Sequence, residues 1–151
     1  MTALSSSPAS ETPRRIELPR EAFFHGDAPG EPCPAAIDLT GLNRILVYGP
    51  FLPLPAGPWR AEVRLELCEY GARRPLRLDF ASGEAITAAA VAGQPGLQRV
   101  CVTHEVTAGA PIELRLWLLR PTFHGELRFL GATLERVDTY PMNLPANDVS
   151  A

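Results

Sequence analysis

Residues 45–67 read ILVYGPFLPLPAGPWRAEVRLEL, and this stretch decides the fold. Its second half places Trp59, Ala61, Val63, Leu65 and Leu67 in one phase and Arg60, Glu62, Arg64 and Glu66 in the other. A period of two with one apolar phase is the pattern of a half-buried β-strand. The first half is apolar and breaks at Gly49-Pro50. Pro53, Pro55 and Pro58 carry no N–H, so no continuous ladder runs from Phe51 to Trp59. Ala56-Gly57 therefore reads as a tight reversal, a central hairpin between separate elements. Such an arrangement points to an all-β fold, an antiparallel β-sandwich of jelly-roll type.

Outward from this stretch the same grammar repeats. Residues 1–15 are rich in Ser, Ala, Pro, Thr and Glu and are expected to form a disordered arm, because they offer little apolar surface to offset ordering. Ile16 and Leu18 suit a short edge strand before Pro19. Glu21 to Pro34 is dense in Gly and Pro and reads as a loop pinned by Phe23 and Phe24. Ile37 to Thr40 is a short extended piece, and Tyr70 to Pro75 a turn. Leu76, Leu78 and Phe80 alternate with Arg77 and Asp79, and Ser82-Gly83 reverses the chain. Glu84 to Ala92 is ambiguous, since its alanines favour helix, but Gly83 and Gly93 bound it closely, and it is assigned as a strand. Leu97 to Val106 and Ile112 to Leu118 follow as strands, the latter alternating Leu114, Leu116 and Leu118 against Glu113, Arg115 and Trp117. Leu127 and Phe129 share one phase, and Leu130, Ala132 and Leu134 the other, which predicts a β-bulge near Leu130-Gly131. One sandwich domain over residues 16–138 and a proline-punctuated tail over 139–151 complete the plan.

Composition limits the functional classes. The chain has 151 residues, 46% of them hydrophobic, enough for one well-filled core. A net charge of −3 gives no footprint for nucleic acid or an anionic membrane surface, so neither is expected as a partner. Every basic residue is arginine, a bias that codon usage explains without chemistry. Cys33, Cys68 and Cys101 form no CxxC pair and are odd in number, which argues against a disulfide framework or a zinc knuckle. No basic-then-apolar leader opens the chain and no apolar run reaches the length of a bilayer span, so a reducing, cytoplasmic location is the expectation.

The residues Tyr48-Gly49-Pro50-Phe51-Leu52-Pro53-Leu54-Pro55-Ala56-Gly57, followed by a strand opening on Trp59, resemble the opening of jelly-roll domains associated with bacterial glycosyltransferases and surface-polysaccharide proteins. Such domains are similar to carbohydrate-binding modules of the galactose-binding-like class. Gly125-Glu126-Leu127-Arg128-Phe129, continuing through Leu134 to Val137, resembles their closing strand. The resemblance spans about Asp38 to Val137 and implies the fold and a glycan ligand. No functional residue of the family matches one for one, so it implies no site.

Few residues suggest chemistry. There is no GxSxG elbow, phosphate-binding glycine loop or HExxH sequence. His104 falls in phase with Val100, Val102 and Val106, as a core or rim histidine would. His25 and His124 share the local sequence Phe-His-Gly, each followed by an acidic residue, Asp27 and Glu126. Were the two loops to meet, these four would be candidate ligands of a structural cation; no other cofactor is expected. Glu62, Glu66, Asp79, Glu105 and Glu113 fall mostly on polar faces beside arginines, where such pairs solvate a sheet. Trp117 stands out, because period-two geometry sets it opposite its strand's leucines and beside Arg115 and Glu113. An indole stacks on the C–H face of a pyranose while neighbouring charged groups bond its hydroxyls. Trp117, Arg115 and Glu113 are thus the candidate ligand-binding residues of a non-catalytic carbohydrate-recognition or accessory domain in bacterial glycan metabolism. The rival reading is a surface or virion-associated assembly subunit that uses the sandwich face for contacts with a protein partner or in a homo-oligomer.

Overall fold

The computed structural model describes residues 14–137. Its strands are β1 (Arg15–Leu18), β2 (Phe24–His25), β3 (Ala28–Pro32), β4 (Ile37–Asp38), β5 (Arg44–Pro53), β6 (Gly57–Leu67), β7 (Leu76–Ser82), β8 (Ala85–Ala90), β9 (Gly96–Val106), β10 (Pro111–Leu118) and β11 (Glu126–Arg136). Short 3-10 turns at Arg20–Ala22 and Gly71–Arg73 are the helical elements among the described residues. One antiparallel sheet runs β9-β6-β11-β1, with β4 paired to the far end of β11. The other runs β3-β2-β5-β10-β7-β8. The two pack face to face as a sandwich, and the all-β jelly-roll expectation holds.

Alternation builds the core between the sheets. Trp59, Ala61, Val63 and Leu65 of β6 are completely buried, as are Ile112 and Leu118 of β10, Leu46 of β5, Phe80 of β7 and Leu134 of β11. Phe23 meets Phe129 edge to face with ring centroids 4.7 Å apart, so the first aromatic of the Phe23-Phe24 pair pins its segment as expected.

Several expectations need correction. β5 and β6 form no hairpin: β5 pairs with β10 and β2, whereas β6 pairs with β9 and β11, so the proline corner carries the chain from one sheet to the other. Lacking N–H donors, Pro53, Pro55 and Pro58 leave few ladder bonds to form there. The predicted break at Gly49-Pro50 is instead a bulge within a continuous strand, where Phe51 has no partner on β10 and adopts φ 65°. The Glu21–Pro34 segment includes the short strands β2 and β3. Glu84 to Ala92 contains strand β8, paired along its length with β7, which outweighs the helix preference of alanine. The β11 bulge lies where predicted, between Phe129 and Gly131, but Leu130 is the extra residue and is 40% exposed, not part of the core.

The arm expected over residues 1–15 ends sooner: Arg15 sits in β1 opposite Glu135, and the Arg14 carbonyl accepts the Arg136 N–H at 2.8 Å. Residues 1–13 of the expected arm, and the 139–151 tail, lie outside the described residues.

Candidate functional site

Strand register defines a row of side chains on the outer face of the β3-β2-β5-β10-β7-β8 sheet. Directly opposed residues point to the same side. Phe24 opposes Tyr48, Tyr48 opposes Arg115, Arg115 opposes Asp79, and Asp79 opposes Ala88. In the flanking rows Trp117 lies between Ile45 and Arg77, and Glu113 between Pro50 and Ala81. Trp117, Arg115 and Glu113 therefore do share the outer face, opposite the buried Leu114, Leu116 and Leu118.

The indole of Trp117 is half-buried and fixed. Its Nε1–H donates to Asp79 Oδ2 at 2.9 Å, and the Arg77 guanidinium lies over the ring, 5.4 Å from its centroid. Asp79 also accepts from Arg77 Nε at 2.9 Å and Nη2 at 3.3 Å. Asp79 is thus not a solvating carboxylate of a polar face: it is 3% exposed, because it is an anchor for the indole and the guanidinium above it. Arg115 pairs with Glu113 at 2.9 Å, their side chains 24% and 17% exposed.

Across Arg115 from Trp117 stands an aromatic cluster that the alternation alone did not show. Phe24 and Tyr48 are 5.4 Å apart at 31°, and Phe51 lies 6.2 Å from Phe24 and 6.1 Å from Tyr48. The Gly30 N–H donates to the Tyr48 hydroxyl at 3.1 Å and sets its direction. Phe51 would point inward in a regular strand. The extra residue of the bulge re-aims it, leaving it 46% exposed beside the other rings. The signal for this was the phase break at Gly49-Pro50, which marks an irregularity without saying which side chain it turns out. From strand spacing, Trp117 and the cluster are separated by roughly 10 Å.

The four candidate cation ligands are not gathered. His25 Nε2 is 3.8 Å from Asp27 Oδ2, but the Asp27 carboxylate is occupied by Arg44, at 2.7 Å and 3.2 Å. His124 instead packs edge-on against Tyr70, with centroids 4.0 Å apart, and Glu126 faces Arg128 at 3.9 Å. Among the described residues no three His, Cys, Asp or Glu side chains come close enough to hold an ion.

Two other places invite a functional reading. A cleft of about 500 Å³ at the end of the sandwich is lined by Ala36, Asp38, Cys68, Gly125 and Glu126. Its polar atoms serve the fold: Cys68 Sγ accepts from the Gly71 and Glu126 amides at 3.2 and 3.1 Å, and Asp38 accepts from the Thr40 amide at 2.9 Å, a bond that holds its carboxyl below the usual range. His104 has Ser82 Oγ 2.8 Å from Nε2 and Thr87 Oγ1 2.8 Å from Nδ1. This imitates a nucleophile–base pair. Ser82 and His104 are only 1% and 3% exposed, however, and a threonine stands where an orienting carboxylate would be. Burial and hydroxyl partners make it a pin between the sheets.

The two packed antiparallel sheets form a jelly-roll β-sandwich. The sequence itself matches no family model and no curated protein. Among solved structures, the C-terminal CBM6 of LamC, a marine laminarinase from Zobellia galactanivorans, superposes with TM-score 0.53 at 18% identity, covering 81% of this chain and 99% of that one. TmCBM61 in complex with β-1,4-galactotriose gives TM-score 0.45 at 11% identity, over 68% of this chain and 70% of that one. The CBM22-1-GH10 modules of Clostridium thermocellum Xyn10B, complexed with xylohexaose, give TM-score 0.45 at 11% identity over 82% of this chain. The match spans only 28% of that longer protein.

Proposed function

We propose that this protein is a non-catalytic carbohydrate-recognition domain, an accessory module of bacterial glycan metabolism, and that it binds its glycan on the outer face of the β3-β2-β5-β10-β7-β8 sheet. The observation that carries the reading is the Trp117 indole, fixed by Asp79 on an open sheet face with the Arg115–Glu113 pair beside it. A fixed ring loses little entropy on stacking, and a partly exposed ion pair offers both donors and acceptors to hydroxyls. The three free thiols, Cys33, Cys68 and Cys101, suit a reducing, cytoplasmic setting.

Glycan arrays test this, and selective binding is the expected result. Trp117→Ala is expected to weaken the bound glycan at least tenfold, and because the indole also holds Asp79, this variant loses some stability as well. Phe51→Ala separates the two effects: at 46% exposure its ring contributes few core contacts, so binding should fall while the melting temperature stays within about 2 °C. An array without signal, or binding unchanged in both variants, overturns the proposal.

The assembly reading has one observation of its own. Leu42 and Phe123, 71% and 91% exposed, are carried on loops joined by the Gly41–Thr122 bridge. A silent array together with an oligomer dispersed by Phe123→Ser would favour it.

A further inference from the structure

The free edges of the two sheets are not alike. β3 carries Pro29 and Pro32, which lack the N–H that a new strand would need, and β1 is four residues long, carries Arg15 and Glu17, and stops at Pro19. β9 presents Arg99 and Glu105 along its length. Charges, prolines and shortness are the usual protections of an edge against pairing with another chain. β8 has none of them. It reads AITAAA, has no charge or proline, and is the last strand of its sheet among the described residues.

Its unpaired backbone groups can be assigned. The Val91 N–H bonds the Leu76 carbonyl at 3.1 Å, and these two residues extend the β7–β8 register. Bonded pairs alternate along an antiparallel ladder, so Ala85, Thr87 and Ala89 bond β7, while the N–H and C=O groups of Ile86, Ala88 and Ala90 point away from it. The latter three residues are exposed, Ile86 at 53%.

We propose that β8 is a homodimer edge, where a second copy of the chain pairs antiparallel with the first about a two-fold axis through Ala88. This register is self-consistent. Ala88 opposes Ala88 of the other copy and exchanges both bonds with it, and Ile86 opposes Ala90 in each direction, so the free groups all meet free groups. The faces also agree: Ile86, Ala88 and Ala90 remain on the outer side in both copies, and Thr87 and Ala89 on the inner side, as a one-residue slip would not allow. Side chains across the junction are alanine, isoleucine and threonine, without a like-charge contact. The two-fold axis uses up the edge of each copy, so assembly closes at two. The six-stranded sheets become one sheet with both outer faces on the same side, which pairs two platforms in a single particle. The dimer itself stands on the edge alone, independent of the glycan proposal.

An interface one strand wide is smaller than the ~1,000 Å² of a tight complex, so sedimentation equilibrium of the full chain should be run into the hundred-micromolar range. A concentration-dependent dimer is expected. Ala88→Pro removes only an N–H that points away from β7, and Ile86→Lys places a charge at the junction. Each should weaken the dimer at least tenfold with an unchanged β circular-dichroism spectrum. Opposed residues of a bonded antiparallel pair have Cα atoms about 5.5 Å apart, within disulfide reach. Under mild oxidation Ala88→Cys should therefore trap a covalent dimer that the unaltered chain, with its exposed Cys101, does not form. This third readout holds even where the first two variants fold poorly. A monomer at all concentrations, a larger open assembly, a dimer indifferent to both edge variants, or an Ala88→Cys protein that stays uncrosslinked would each overturn the proposal.

Discussion

Asp79 follows the alternation of its strand and still ends up 3% exposed, because the residues beside it on the same face are large and lean over it. Its Oδ2 holds the Trp117 indole at 2.9 Å, and both its oxygens hold Arg77. Removing the carboxylate orphans an indole N–H and leaves a guanidinium without its counter-charge. Arg77 is 40% exposed, so water recovers most of the ion-pair term, and the loss is dominated by the indole bond and the void. Asp79→Ala should then cost about 1–3 kcal/mol in urea unfolding, accompanied by a red shift in tryptophan emission as Trp117 loosens. Trp59 is fully buried elsewhere in the core and serves as an internal reference. An unshifted spectrum would mean that Arg77 alone holds the ring. At this scale the sequence showed which side Trp117, Arg115 and Glu113 occupy, because alternation encodes sidedness. It gave no sign of the Asp79 anchor or of Phe51, since both depend on neighbours brought in by other strands.

Single strands carry their irregularities in their phase, and β11 shows how far that goes. The switch between Leu127-Phe129 and Ala132-Leu134 located the bulge, while the choice of Leu130 as the displaced residue required the register with β6. Gly131 makes the bulge possible: its φ is 115°, and a Cβ there would lie 2.6 Å from the Leu18 carbonyl oxygen of β1. A side chain at this position is strained in the backbone and also displaces the neighbouring strand. Gly131→Ala should destabilise the domain by about 2–4 kcal/mol. Hydrogen exchange should localise part of the loss, with amides of the β1–β11 ladder exchanging faster than those of β6. Uniform loss of protection would show that β1 does not open separately. The alanines of β8 mislead in the other direction, because helix preference is a local quantity and pairing with β7 is not.

Sheet membership is a property of the whole molecule, and alternation is silent about it. β5 and β6 are neighbours in sequence and belong to opposite sheets, so a reading that sees two adjacent strands and a tight corner draws a hairpin where the chain crosses over. The same blindness hides contacts that tie the sheets together, of which His104 is the clearest. It stands on β9 opposite Trp59 in one sheet, and reaches Ser82 at the end of β7 and Thr87 on β8 in the other. Thr107 joins the group through its amide, which donates to Ser82 Oγ at 3.0 Å, and Phe80 packs 5.0 Å from the imidazole. Burial among these groups disfavours the imidazolium and lowers the His104 pKa below its usual 6.5, against a weaker opposing pull from the Glu105 carboxylate. A histidine whose folded pKa lies below its unfolded one binds fewer protons in the native state, so stability falls as pH drops through about 6.5 and levels off below the folded value. The acid-side losses of Glu17 and Asp38, whose pKa values are lowered by bonds from Thr133 and Thr40, begin only near their ordinary values of 4.5 and 3.8. Urea unfolding between pH 7.5 and 5 should therefore show a decline to which His104 contributes, separate from the carboxylate limb. His104→Gln, less stable at neutral pH, should lose less than the unaltered protein over that interval, narrowing the gap between them. A gap of equal size at both pH values would show that the imidazole carries the same charge in the folded and unfolded chain, and that its link between the sheets does not depend on being neutral.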